Sequence, residues 1–266
     1  MRLFTPLRPD PGAPLARANP TAKLGAAVLL MLALFVSVDL LTPSLLLLVV
    51  LAAIPFTGIG PRTLLGRVWP IPLAALSVAI LNALLAPETV GEVVLRIGPL
   101  VVGQGNVLNG AALGIRLLAI SLSGVLALVS TEPAVLAGSL VQQLRLSPRF
   151  AIGGLAAARL LPILAAEWQM LALARRARGV SAGSPVGAVR LAFGQLLALL
   201  VAAVRRATRL AMAMEARGFG ARPCRTVARP QHLVRSDWLL LAGAAAVAAG
   251  AIGLSLAIGS WRFVFA

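Results

Sequence analysis

The sequence predicts an all-α integral membrane protein with about five transmembrane helices and a long basic insertion of amphipathic helices, and three observations carry that prediction. Hydrophobic residues make up 59% of the 266 positions and charged residues only 12%, with a mean hydropathy of +0.95. A soluble domain is about half apolar and a quarter charged, so this chain cannot cover a water-facing surface. The apolar residues also fall in runs near the roughly 20 residues that a helix needs to cross about 30 Å of hydrocarbon. Finally, 24 Lys and Arg face only 8 Asp and Glu, and 15 of the arginines lie between Arg145 and Arg235. The net charge of +16 does not indicate nucleic acid, because the basic residues are interleaved with long apolar runs; it reads as positive-inside topology.

Residues 24–56 are too long for one crossing, and Asp39, Thr42, Pro43 and Ser44 interrupt them where a turn between antiparallel helices belongs. The pattern predicts a hairpin with arms at 24–38 and 45–56. The second arm is short for a full span, which leaves a partly re-entrant geometry open. Residues 69–86 form the third span, with Pro70 and Pro72 in its first turn, where a missing amide hydrogen costs little. Residues 111–129 form the fourth and contain Arg116, which must snorkel or face protein. The fifth, 238–261, has no charged residue and is bounded by Trp238 and Trp261, as interfacial anchors are.

With the N-terminus cytoplasmic and five spans, 21 of the 24 basic residues fall on the inner side, leaving Arg96 and Arg262 outside and Arg116 within the membrane. That asymmetry predicts a multi-pass cell-membrane protein, N-terminus in and C-terminus out. Glu88 and Glu92 then lie in a polar, Gly-rich outer loop over 87–106. The first 22 residues, with Arg2, Arg8, Arg17 and Asp10, do not resemble a cleaved signal peptide. The expected organisation is a cytoplasmic N-terminal segment (1–23), spans one to four (24–129), cytoplasmic helices (130–237) and a last span with its tail (238–266). One cysteine, Cys224, and one histidine, His232, build neither a metal site nor a disulfide framework. We expect no catalytic, cofactor-binding or metal-binding residues.

The insertion is the informative region. Leu155, Leu160, Leu161, Leu164, Trp168 and Leu171 recur at helical spacing, as do Val189, Phe193, Leu196, Leu197, Leu200 and Val204. Arg159, Pro162 and Glu167 argue against the first helix crossing the membrane. Arg190, Gln195 and the Arg205, Arg206, Arg209 cluster argue less strongly against the second, which as a sixth span is the competing assignment. Both are expected at the cytoplasmic membrane face. A shorter helix precedes them: Thr131 is expected as its N-cap, Glu132 at the positive end of the dipole and Pro133 in the first turn, running to about Leu146.

Both long helices end alike, in Ala177-Arg178-Gly179 and in Ala216-Arg217-Gly218. Arginine complements the helix dipole and glycine supplies a left-handed terminus, so capping alone accounts for both residue types. The tripeptide is unremarkable as a string in so Ala- and Arg-rich a chain; its placement at two matching helix ends, 39 residues apart, carries the weight. Read functionally, each is a plug: small neighbours permit close approach, and the guanidinium offers a fork suited to a partner's carboxylate. Two similar plugs imply two similar sockets, as on a dimer of cytoplasmic subunits.

From about Asn19 to Phe219 the chain resembles the transmembrane (T) component of energy-coupling factor transporters, the EcfT group that includes cobalt- and biotin-type T subunits. The resemblance rests on Asn19-Pro20-Thr21-Ala22-Lys23-Leu24, Thr131-Glu132-Pro133, Arg159-Leu160-Leu161-Pro162-Ile163-Leu164 with Glu167, and the termini Ala177-Arg178-Gly179 and Met214-Glu215-Ala216-Arg217-Gly218-Phe219. It implies a membrane bundle joined to a cytoplasmic coupling domain, with Arg178 and Arg217 inserted into two ATP-binding-cassette ATPases, identical or different. It also implies that the coupling helices cradle a small substrate-binding (S) membrane protein, which topples to release a vitamin or metal ion inward. ATP would be bound by the ATPases alone, since this chain has no phosphate-binding Gly-Lys-Ser or Gly-Lys-Thr loop and its only lysine is Lys23. The substrate would be recognised by the S protein, so this chain does not specify it.

Two other classes fit less well. A self-sufficient permease or channel would carry polar residues through its spans, and apart from Asn82, Arg116 and a few serines these are nearly absent. A lipid-modifying enzyme would cluster its carboxylates around a divalent metal, whereas the eight acids here are scattered singly.

Overall fold

The computed structural model describes residues 12–37, 39–86, 92–97, 100–180, 183–220, 227 and 229–259. Arg2, Arg8, Asp10, Glu88, Cys224, Trp261 and Arg262, each given a place above, lie outside the described residues, as do Arg222 and Arg225 of the basic insertion. The chain divides into two compact units, residues 1–144 with 231–266, and residues 145–230.

The first unit begins with a four-residue turn of helix, α1 (Pro14–Arg17), followed by α2 (Pro20–Val36) and α3 (Leu41–Ala53), which runs on as a 3-10 turn to Thr57. After α4 (Pro61–Val68) comes α5 (Pro70–Leu85), opened by its proline as expected. Next are strands β1 (Val93–Ile97) and β2 (Leu100–Gly103), helices α6 (Gln104–Val129) and α7 (Pro133–Gln143), and, after the second unit, α10 (Arg235–Ala257). The second unit consists of α8 (Pro148–Ala177) and α9 (Pro185–Ala216).

The outer loop expected over 87–106 is in part a two-stranded antiparallel ribbon, with Arg96 opposite Val101, Ile97 opposite Leu100 and an irregularity between Val93 and Leu95. The runs Val93-Val94-Leu95-Arg96-Ile97 and Leu100-Val101-Val102 favour a pleated surface over open coil, and α6 starts at Gln104, ahead of the expected 111. The expected N-cap also moves. Thr131 turns its hydroxyl back to Ala127 O (2.7 Å) and so closes α6; Glu132 occupies the N-cap position of α7, which stops at Gln143 rather than near Leu146.

Four helices, α2, α3, α6 and α10, meet in a core of Ala33, Leu34, Leu46, Ala119, Ala248 and Ala251. The small side chains bring helix axes close, as membrane helices require in the absence of a hydrophobic drive between them. The α5–α6 contact shows the same principle. A Cβ on Gly110 would lie 2.4 Å from the carbonyl oxygen of Ala79, and one on Gly114 would lie 2.9 Å from the Ala79 Cβ.

Buried polar groups tie off both ends of α2. At its start, the Asn19 side chain accepts from Thr21 N (3.1 Å) while the Asn19 N–H donates to Asp237 Oδ1 (2.8 Å). The other oxygen of that carboxylate accepts from Val234 N (2.8 Å), so one side chain starts α10 and holds α2. Lys23, only 4% exposed, donates to the carbonyl of Ser130 (2.7 Å) at the end of α6. At the far end of α2, Asp39 accepts from Thr42 N and Thr42 Oγ1 (both 2.8 Å), from Ser255 Oγ on α10 (2.6 Å) and from Ser37 Oγ. Arg116 reaches from α6 to donate to the carbonyl of Ser37. Arg116 therefore faces protein, and Asp39 is the charge beside it.

Among the described helices, α6, α8, α9 and α10 are long and apolar enough to cross a membrane; α2, α3 and α5 are shorter apolar helices. The two helices of the second unit have almost no core. No residue of α8 is buried, and in α9 only Gln195 is.

Two substitutions test this packing by thermal unfolding in detergent. Asp237→Ala leaves the buried N–H of Asn19 and the half-buried N–H of Val234 unpaired and Lys23 without its counter-charge, and is expected to destabilise by about 3–5 kcal/mol. Gly110→Val pushes a branched side chain into the backbone of α5 and is expected to cost about 1–3 kcal/mol.

Candidate partner-docking site

The two Ala-Arg-Gly termini have closely matching backbones. Arg178 closes α8 at φ −86°, ψ 9°, and Arg217 closes α9 at φ −87°, ψ 10°. The glycine after each stands at φ +74°, in the left-handed region that a side chain disfavours. Gly179 N donates to Arg176 O (3.0 Å) and Val180 N to Arg175 O (3.0 Å); Gly218 N donates to Glu215 O (2.8 Å) and Phe219 N to Met214 O (2.9 Å). These are the paired bonds of a Schellman motif, which satisfies the last helix carbonyls without help from the arginine.

That arrangement frees the arginines. Ala177, Arg178, Gly179, Ala216, Arg217 and Gly218 are all exposed. Among the described residues, the guanidinium groups of Arg178 and Arg217 have no hydrogen-bond or ion-pair partner, so capping explains the glycines and the backbone but gives those side chains nothing to bind. A Cβ on Gly179 or Gly218 would meet nothing within 4 Å; the demand for glycine is conformational, not steric.

The hairpin is held by polar ties along its length. Arg175 Nη1 donates to the carbonyl of Leu191 (2.9 Å) near the link between the helices. Midway, Arg206 grips Glu167 with both terminal nitrogens, Nη1 to Oε2 at 3.0 Å and Nη2 to Oε1. At the other end the Arg149 guanidinium lies against Gly220, which stands at φ +87°. The helices are therefore antiparallel, and Arg178 and Arg217 occupy opposite ends of the pair. Since α8 has 30 residues, the two guanidinium groups are separated by about 45 Å, taking 1.5 Å per residue.

The Arg206 hydrogen bonds hold the Glu167 carboxyl below the ordinary glutamate range, assisted by the guanidinium charge against the opposing effect of burial. Between the helices at the Arg217 end, Gly153, Ala156, Ala157, Ala207 and Ala211 leave a groove of about 430 Å³ with Arg149, Glu215 and Phe219 at its rim. The apolar faces are uncovered: Phe150 is 82% exposed and Val186 78%. Surfaces of this kind mark contact with protein or lipid.

Sequence reading took Glu167 as an obstacle to spanning and as part of the family motif and did not find its pairing with Arg206; the two are 39 residues apart on separate helices. The bond between Asn19, quoted only within the family motif, and Asp237 was also missed, though an Asn before Pro is a recognisable helix start. Among the described residues, no three of His, Cys, Asp and Glu come together.

Comparison with known proteins gives a consistent answer. A model of the cobalt transport protein family, CbiQ, matches residues 12–226. An energy-coupling factor transporter transmembrane protein, EcfT, from Heliobacterium modesticaldum is 29% identical over 260 residues, spanning 94% of this chain and 93% of the relative. One of the same name from Thermanaerovibrio acidaminovorans is 30% identical over 261 residues (92% and 94%). One from Bacillus subtilis is 27% identical over 212 residues (76% and 79%).

Two outcomes follow for the hairpin. Gly179→Ala or Gly218→Ala forces a side chain into the left-handed region and is expected to cost about 1–2 kcal/mol at that helix end, read as faster amide exchange in its last turn. A carboxyl with a lowered folded pKa contributes stability that is present above the ordinary glutamate range and lost as pH falls through the lowered value. Acid titration followed by the fluorescence of Trp168 is therefore expected to show a transition that Glu167→Gln removes.

Proposed function

We propose, on the premise that this chain belongs to the CbiQ family of cobalt transport proteins and is a transmembrane component of an energy-coupling factor transporter, that Arg178 and Arg217 are its contacts with two ATP-binding-cassette ATPase subunits. The observation that carries this reading is the pair of identical caps, each presenting an unpartnered arginine, at opposite ends of one antiparallel hairpin. A guanidinium fork fits a carboxylate at the bottom of a groove, and the alanine before it and glycine after it keep the approach clear. Two such forks about 45 Å apart, by the length of α8, suit two separate subunits.

On this reading the chain is a non-catalytic subunit. The ATPases hold the nucleotide, and their closing moves the two helix ends. The exposed apolar faces of α8 and α9 lie at the cytoplasmic membrane surface with the N-terminus on the same side, and support a small substrate-binding membrane protein. That protein, not this chain, recognises the vitamin or metal ion. The hairpin suits transmission because its polar ties run along its length: a force applied at one cap travels through two long helices joined by Glu167–Arg206. The remaining arginines of the insertion face anionic headgroups.

Co-purification of the ATPases with tagged variants, together with uptake in proteoliposomes, tests the proposal. Arg178→Ala with Arg217→Ala is expected to abolish both. Lysine at the two positions is expected to rescue poorly, because an ammonium cannot make the forked contact. Assembly and uptake at wild-type levels in the double alanine variant would overturn it.

A further inference from the structure

The chain passes between its two units twice, at 144–145 and at 230–231. On the first unit's side, those two points are fastened to each other. The N–H of Gln231 donates to Gln142 Oε1 (2.8 Å), and Gln143 Nε2 donates to the carbonyl of Gln231 (3.3 Å). Gln143 also meets the hydroxyl of Thr21, so this clasp is anchored to the start of α2. Immediately beyond it α7 has ended, and Arg145 stands at φ 55°, the only described non-glycine residue with a positive φ. A residue with a side chain rarely holds that conformation. Here it sits at the boundary between units, between the end of α7, which carries the clasp, and the start of α8 at Ser147 and Pro148.

We propose that Arg145 is the pivot of a hinge whose fixed side is the clasp formed by Gln142, Gln143 and Gln231. Two independent connections would flex separately and dissipate any motion passing through them. Fastened together, they act as one axis, and a change at Arg145 between the left-handed and ordinary helical regions redirects α8 while the clasp bonds stay made. Hinges commonly consist of a few element-terminal residues that absorb such a φ/ψ change. The proposal rests on the reading that the second unit transmits motion, but its test does not need the ATPases.

The test uses the full chain alone in lipid nanodiscs, with Cys224→Ser and pairs of spin labels. Labels at Ser236→Cys and Met170→Cys report between the units; labels at Ser236→Cys and Thr63→Cys report within the first. Gln142→Ala with Gln143→Ala is expected to broaden the between-unit distance distribution about twofold and to leave the within-unit distribution unchanged. Arg145→Gly is expected to broaden the former without lowering the melting temperature. Gln231→Ala, which keeps the main-chain atoms that the clasp uses, is expected to change neither. Identical between-unit distributions in all variants would overturn the proposal. So would equal broadening within the first unit, which would make the clasp merely part of its packing. Since no ATPase is present, failure of ATPase docking cannot produce either result.

Discussion

The carboxylate of Asp237 is the contact on which the first unit depends. It accepts the main-chain N–H that opens α2 and the one that opens α10, two helices that meet in the core 218 residues apart in sequence. Beside it Lys23, also buried, fastens the end of α6. The Asn19–Asp237 and Lys23–Ser130 bonds are buried away from water, and a buried polar group without a partner costs more than a hydrogen bond returns. The arrangement therefore tolerates no partial version. Asp39 and Arg116 repeat the pattern at the other end of α2, so the shortest of the core helices after α3 is held at both ends.

The second unit is built on the opposite plan. It has two long helices, almost nothing buried, and ion and hydrogen-bond ties in place of a core. Such a hairpin is defined less by packing than by how its helices stop, and both stop on the same motif. Because the Schellman bonds satisfy the final carbonyls, the arginine at each cap is released from any duty inside the helix. Each end of the hairpin thus carries a forked cation that its own cap does not use.

What the sequence made legible follows the strength of each local signal. The helices α5, α6 and α10, the start of α8 at Ser147-Pro148 and the left-handed glycines at 179 and 218 all rest on residues acting within one turn of themselves. The ribbon of β1 and β2 was read as loop because two runs of four or five residues between long apolar helices carry little periodicity. Thr131 was misplaced because a hydroxyl can bond backward to the helix it leaves as readily as forward to the one it precedes. The role of Arg116 could not be read, since its partners Ser37 and Asp39 lie 79 and 77 positions away, and only the fold brings them together. For the docking site, residue identity was legible but the opposed placement of the two caps was not: it depends on the antiparallel pairing that Glu167 and Arg206 secure.

The central claim is that both caps touch ATPase subunits. The most direct measurement places a photo-crosslinking residue at Ala177 or at Ala216, each exposed in the final turn, leaving both arginines intact in the assembled transporter. Each position is expected to capture an ATPase, with the linked peptide containing an acidic residue. Capture of lipid or of the substrate-binding protein alone, from either position, would contradict it.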